Sequence, residues 1–276
     1  MTPLKKHFAK GPAVFYFCFL SAAAALRAEE LPMRLIAGNR AVIRGTVFSG
    51  QEVTMLVDTG ADCTVVDDRT ARRIGARLRD RTVHYAALGK TEKAPLALVE
   101  ELRAGSITTS LACIVHRIPT PGVDIILGLN VLNKHDFSLD YERSRMVFHP
   151  AEDPGPAIAF EPESSLILVP LQIRGKTIRA LVDTGAAYHI ITEGSPVLGP
   201  MDFRGTSALV AHLGGHASAR GVTLGRFGIG SSEWDNFKAM AVSGVQLPWD
   251  VVLSVGNLGL KQVRFHFKSR RLTWTR

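Results

Sequence analysis

Two aspartates sit in nearly identical surroundings: Leu56-Val57-Asp58-Thr59-Gly60-Ala61 and Leu181-Val182-Asp183-Thr184-Gly185-Ala186. Each acid ends an apolar run and is followed by small residues. An apolar strand places its terminal carboxylate in a dry setting. The glycine lets backbone N–H groups approach that carboxylate closely. An approximate two-fold axis relating the two segments brings the strand ends together. Two carboxylates that close cannot both ionise, so they share one proton and titrate in two separated steps. The ionised member can take a proton from a bound water, and the protonated member can donate to a peptide carbonyl oxygen. That is general acid–base hydrolysis of an amide, with water as nucleophile. A single Asp-Thr-Gly carries little information, because such tripeptides are common in turns. Two copies, each after an apolar strand, carry much more.

The elements that must position these acids also occur twice. The offset of 125 residues between the aspartates carries Gly50 onto Gly175, Leu88-Gly89 onto Leu213-Gly214 and Gly105-Ser106 onto Gly230-Ser231. One inserted residue later, an offset of 126 carries Asp124-Ile125-Ile126-Leu127 onto Asp250-Val251-Val252-Leu253. The same offset carries Phe137, Leu139, Tyr141 and Phe148 onto Val263, Phe265, Phe267 and Trp274. A constant offset over a whole unit marks a duplicated lobe. The pattern is mostly strand. Val42 to Phe48 and Val53 to Val57 predict a hairpin around Ser49-Gly50, and Ile167 to Ile173 and Thr177 to Val182 predict its copy around Arg174-Gly175. Alternation at Phe137, Leu139, Tyr141 and at Val263, Phe265, Phe267 predicts half-buried strands, each followed by an arginine-containing turn. Asp67 to Ile74 reads as a short helix capped by Asp67 or Asp68. Its counterpart, Glu193 to Leu198, contains Gly194 and Pro196, which predict loss or distortion of that helix. Pro150, Pro154, Gly155, Pro156 and Pro162 mark a stiff linker over 151–162. Lobe one is expected over 31–150 and lobe two over 163–276.

LVDTGADCTVV (Leu56 to Val66) and ALVDTGAAYHIIT (Ala180 to Thr192) resemble the active-site loops of retropepsin-like aspartic proteases. DIILGLNVL (Asp124 to Leu132) resembles their second signature. The resemblance covers nearly all of the chain after the leader, once per lobe, in a single-chain, two-lobed form. It implies an all-β fold of two homologous barrel lobes with a cleft between them, acting on peptide or protein substrate without a cofactor. It implies Asp58 and Asp183 as the catalytic pair, and Thr59 and Thr184 as locks between the loops. Gly60 and Gly185 would lie against water and substrate, flanked by Ala61 and Ala186. Asp62 falls where retroviral enzymes hold the substrate backbone, and lobe two has Ala187 there. Gly89 and Gly214 fall at the tips of flap hairpins that close over substrate. Two departures are expected to matter: Gly128 of the second signature becomes Ser254 in lobe two, and the second helix is eroded. They leave room for a peptide-binding module without turnover, or for a homodimer pairing lobe one with lobe one. Neither Ala61 nor Ala186 has a hydroxyl to stabilise an ionised dyad, so a mildly acidic to near-neutral optimum is expected.

The first 28 residues read as a secretory signal peptide. Lys5, Lys6 and Lys10 precede an apolar run from Gly11 to Leu26, and Ala28 is the expected cut. An uncleaved membrane anchor is the alternative. A bacterial envelope is the expected setting, with an exported, periplasmic or secreted monomer. Only a few residues then separate the cut from the first strand, which leaves no room for a long prosegment. Removing 1–28 takes away four basic residues and no acids, so the net charge falls from +8 to +4. The remaining basic residues form no stripe, so a nucleic-acid partner is not implied. Cys63 and Cys113 remain, either as a disulfide or as buried thiols. His212 and His216 flank a turn and not a helix, so no metal is expected. His189 reads as a loop or core histidine. No Gly-x-Ser-x-Gly elbow is present.

Overall fold

The computed structural model describes residues 28–151, 155–161, 164–199 and 202–276. The leader expected over 1–28 lies outside them except for Ala28, and the linker expected over 151–162 is described in part.

The architecture is all β, in two lobes that repeat one plan. In lobe one, strands Arg40–Thr46 and Glu52–Val57 pair antiparallel, with Val42 opposite Leu56, around a short turn at Phe48–Gly50. In lobe two, Leu168–Ile173 and Lys176–Asp183 do the same, with Leu168 opposite Leu181. The strand that carries each aspartate then runs parallel to the strand of the second signature. Leu56 lies opposite Ile126, and Leu181 opposite Val252. Alternate side chains of these central strands are fully enclosed. Met55 and Val57 match Ala180 and Val182, all at 0% exposure. Each large apolar side chain so buried contributes roughly 1.5–3 kcal/mol relative to exposure. Each lobe curls back on itself. Thr46 pairs with Arg103 in lobe one, and Leu171 pairs with Ile229 in lobe two.

The lobes are joined by a shared antiparallel sheet. Strands Phe137–Asp140 and Gln262–His266 lie side by side at its centre, with Phe137 opposite Phe265 and Leu139 opposite Val263. Strands Arg145–Phe148 and Arg271–Thr275 flank them, and Glu29–Ile36 and Ala157–Ala159 close the two edges. The Phe137 and Phe265 rings stack at 4.7 Å across the junction, an arrangement worth about 0.5–1.5 kcal/mol beyond the area buried.

Two expectations are corrected here. The strand Phe137–Asp140 is not half-buried, because Phe137, Ser138, Leu139 and Asp140 are all buried, whereas Gln262–His266 alternates as expected, with Val263 and Phe265 buried and Gln262 and Arg264 partly exposed. The linker is not only a connection. Ala157–Ala159 is an edge strand paired to Arg271–Thr273, at the place that Glu29–Pro32 holds on the opposite edge. Glu161 of the same segment is gripped by the Arg179 guanidinium at 2.7–3.2 Å.

The helix Asp68–Arg73 forms as its sequence suggests, capped by Asp67, whose carboxylate accepts from Arg69 N. Its counterpart is a pair of turns over 193–197. Pro196 supplies no N–H, and Gly194 adds backbone freedom that a helix must remove.

Candidate active site

Both Asp-Thr-Gly-Ala loops meet at the junction of the lobes. Asp58 Oδ1 accepts from the backbone N–H of Gly60 at 2.9 Å and Ala61 at 3.1 Å. Asp183 Oδ1 accepts from Gly185 at 2.7 Å and Ala186 at 2.8 Å. Each loop thus folds around its own carboxylate. The two carboxyl groups lie close enough to act on each other's protonation.

The threonines tie the loops together. Thr59 Oγ1 donates to Val182 O at 2.8 Å and accepts from Thr184 N at 3.1 Å. Thr184 Oγ1 donates to Val57 O at 2.7 Å and accepts from Thr59 N at 3.0 Å. All four bonds are buried and each crosses from one lobe to the other. Each of the two glycines lies against the carboxyl group of the opposite lobe. A Cβ on Gly60 would run into the Asp183 carboxyl, and one on Gly185 into that of Asp58. Glycine is needed at both places because the two acids approach across these residues.

Burial is the largest influence on both acids and raises both. Asp58 stands well above the ordinary carboxylate range, because burial and the Asp183 charge outweigh the N–H bonds from Gly60 and Ala61. Asp183 is also raised by burial, but the N–H bonds from Gly185 and Ala186, the hydrogen bond from Asp58 and the charge of Arg40 all oppose the rise. The pair therefore shares one proton, and the charge of Arg40 favours the ionised form of Asp183.

The second-signature strands support the loops in two different ways. In lobe one, Leu129 N donates to Ala61 O at 2.8 Å and Asn130 N donates to Asp62 O at 3.0 Å. Gly128 N donates to Thr64 Oγ1 at 3.3 Å, and a Cβ on Gly128 would strike the Ala61 and Cys63 carbonyl oxygens. In lobe two, Ser254 Oγ donates to Ala186 O at 2.7 Å and Asn257 Nδ2 donates to Ala187 O at 2.8 Å. Ser254 N donates to His189 Nδ1 at 3.0 Å, so His189 occupies the role of Thr64. Side chains replace the backbone donors of lobe one, and the carbonyl oxygens they satisfy are the equivalent ones. His189 is a core histidine, stacked on Phe237 at 4.9 Å, and burial lowers its pKa to about 4.

Two hairpins cover the site. Strands Arg77–Ala87 and Lys90–Ala104 turn at Leu88-Gly89, where both residues have positive φ, the geometry of a tight two-residue hairpin. Strands Phe203–His212 and Gly215–Thr223 turn at Leu213-Gly214. The tips cross. Leu88 packs into an apolar cluster of lobe two with Val245, Leu247 and Trp249, and Leu213 packs into one of lobe one with Ile36, Ala61 and Tyr85. Gly89 lies against the Gln246 backbone, and Gly214 against Glu92 and His212.

Other expected residues fall outside the dyad. Asp62 is exposed beside Cys63. Cys63 and Cys113 are both free; burial raises the Cys113 thiol to about 12. Among the described residues no three His, Cys, Asp or Glu side chains gather to hold a metal ion. Sequence reasoning missed Arg40, whose charge acts on both acids, and the roles of Ser254, His189 and Asn257. The signal for Arg40 was a cation just before the apolar run Ala41-Val42-Ile43.

A family model described as gag-polyprotein putative aspartyl protease matches residues 45–134, and one described as aspartyl protease matches residues 169–261. The two matches fall one on each lobe. The crystal structure of aspartic proteinase from Irpex lacteus is similar in fold, with a TM-score of 0.58 at 13% identity, over 90% of this chain and 97% of that one. No curated protein matches the chain.

Proposed function

We propose, for a chain that is a retropepsin-like aspartic protease with the domain present twice, that it is an endopeptidase whose dyad is Asp58 and Asp183 of one polypeptide. The observation that carries this reading is the reciprocal Thr59–Thr184 lock, which ties the two aspartate-bearing loops together across the lobes. A peptide-binding module has no need of two buried acids raised in pKa. Burying such a pair costs stability, and a cost of this kind is characteristic of functional sites.

In the proposed reaction, Asp183 takes a proton from water as the water oxygen bonds to the peptide carbonyl carbon. Asp58 gives its proton to the carbonyl oxygen, producing a neutral gem-diol. Asp183 then passes its proton to the amide nitrogen as the C–N bond breaks. One gem-diol hydroxyl returns a proton to Asp58 as the carbonyl re-forms. The substrate is an extended peptide lying between the dyad and the two crossed hairpins, and these must part to admit it.

The test is cleavage of a mixed peptide library by the purified protein and by its Asp58→Asn and Asp183→Asn variants. Loss in both supports the single-chain dyad. Retention in Asp183→Asn refutes it in favour of paired lobe-one sites. The pH profile is a second check. Activity needs one proton on the pair, so it falls below the first titration step and above the second. Burial raises both acids, and neither loop offers a hydroxyl to oppose the rise, so both limbs move upward. We expect a maximum in the mildly acidic to near-neutral range; a maximum below about pH 3 would contradict it.

We further propose that the protein is exported and acts as a monomer. The basic start, the apolar run to Leu26 and Ala28 support the first, and the presence of both dyad halves in one chain supports the second. N-terminal sequencing of protein recovered from cells should begin near Glu29, and sedimentation should give a mass near that of one chain.

A further inference from the structure

Arg40 opens the strand Arg40–Thr46 of lobe one. The turn before it is fixed by lobe two. Gly38 packs against the Ala187 backbone so tightly that a Cβ would collide with it, and Asn39 Nδ2 donates to Gly256 O at 3.0 Å. The guanidinium is then pinned twice: Nε donates to Ala37 O at 2.8 Å, and one terminal nitrogen donates to Thr120 Oγ1 at 3.0 Å. Neither partner is charged. Among the described residues no carboxylate pairs with Arg40 at ion-pair distance; the charges it feels are those of Asp58 and Asp183, with the Tyr188 phenol nearby. Two of five N–H donors are therefore used, and three remain on a half-buried cation at the mouth of the dyad.

This arrangement has no counterpart in lobe two. The repeat places Ser165, exposed and neutral, at the equivalent position, and the loop facing Arg40 carries Ala187 where lobe one carries Asp62. A held guanidinium with its fork unoccupied suits a planar carboxylate, which takes two parallel N–H bonds. A peptide running through the cleft passes this group on one side of the cut only.

We propose that Arg40 is a specificity-determining residue, whose guanidinium receives an acidic side chain of the bound peptide on one side of the scissile bond. The proposal rests on the peptidase reading. It makes the cleft directional, since the equivalent position of lobe two holds the neutral Ser165 and no cation.

The experiment uses peptide pairs that differ by Glu for Gln at each of the three positions on either side of the cut. Each pair is measured for cleavage and, as non-hydrolysable reduced-amide versions, for binding. The unmodified protein should favour Glu at one position on one side by about tenfold or more in kcat/KM, with the preference shrinking as salt rises. Arg40→Gln should bring that ratio close to one, and Arg40→Lys should keep part of it. A protein that cleaves but shows no Glu preference overturns the proposal. So does an Arg40→Gln variant that loses activity equally on both members of each pair, which would make Arg40 a charge support for the dyad. If nothing is cleaved but the reduced-amide pairs show a Glu preference that Arg40→Gln abolishes, the peptidase reading fails and the acidic subsite stands. If nothing is cleaved and the pairs bind alike, both fail.

Discussion

Lobe one and lobe two hold equivalent carboxylates with equivalent backbone bonds, yet the scaffolding behind the two loops differs. Lobe one uses a short helix, a glycine and backbone donors. Lobe two has no such helix, and Ser254, Asn257 and His189 supply the same bonds from side chains. In lobe one the Asp124 carboxylate accepts from Thr54 N, Thr70 Oγ1 and Arg73; burial acts to raise it, but these bonds win and it stands below the ordinary range. In lobe two, among the described residues, the Asp250 carboxylate keeps the matching backbone bond, from Arg179 N at 2.8 Å, and no counterparts of the helix donors. The features of lobe two that look eroded in sequence are a second solution to one constraint. What must be preserved is the satisfaction of the loop carbonyls, because unpaired buried polar groups cost about 1–3 kcal/mol each.

The strongest test of equivalence is at the dyad. Asp58→Asn and Asp183→Asn should each lower kcat/KM by about a thousandfold or more, since each removes one half of a proton relay. Unequal losses would show that the lobes are not catalytically matched. Next are the glycines. Gly60→Ala and Gly185→Ala each drive a methyl into the opposite carboxyl. Activity should fall by about a hundredfold in both, with unfolding temperature changing far less. A loss in only one variant would break the cross-lobe symmetry.

Stability should separate the lobes. The His189 pKa is lowered to about 4 by burial, so the folded protein holds it neutral while the unfolded chain, with a pKa of about 6.5, binds a proton more readily. The stability it confers is fully present above about pH 6.5 and is lost as pH falls toward about 4, to the extent of roughly 3 kcal/mol. His189→Thr, which installs the lobe-one residue, should flatten this slope in urea unfolding between pH 7 and 4. The smallest effect is expected at Ser254→Gly, which restores the lobe-one residue but strands Ala186 O. It should cost about 1–2 kcal/mol in urea unfolding. A variant as stable as the parent would mean that lobe two does not depend on its serine.

Much of this molecule was legible in the residues alone. The duplication, the hairpins around Ser49-Gly50 and Arg174-Gly175, the helix at Asp68–Arg73 and its loss in the copy all follow from local rules. Burial alternates with strand period, glycine and proline break helices, and an aspartate caps one. The two aspartates were found because an apolar strand ending in Asp-Thr-Gly-Ala occurs twice at one spacing. Tertiary structure decided which groups meet across the repeat. That Gly60 turns its Cα side to Asp183 while its N–H bonds Asp58, that Leu88 and Leu213 exchange lobes, and that a serine hydroxyl replaces a backbone N–H all depend on contacts far apart in the chain. So does the placing of Arg40 beside the dyad by a turn clasped in the other lobe. Local sequence sets the backbone's hydrogen bonds and the face it buries; it does not specify which distant surface that face will meet, because this depends on how the two lobes pack as a whole.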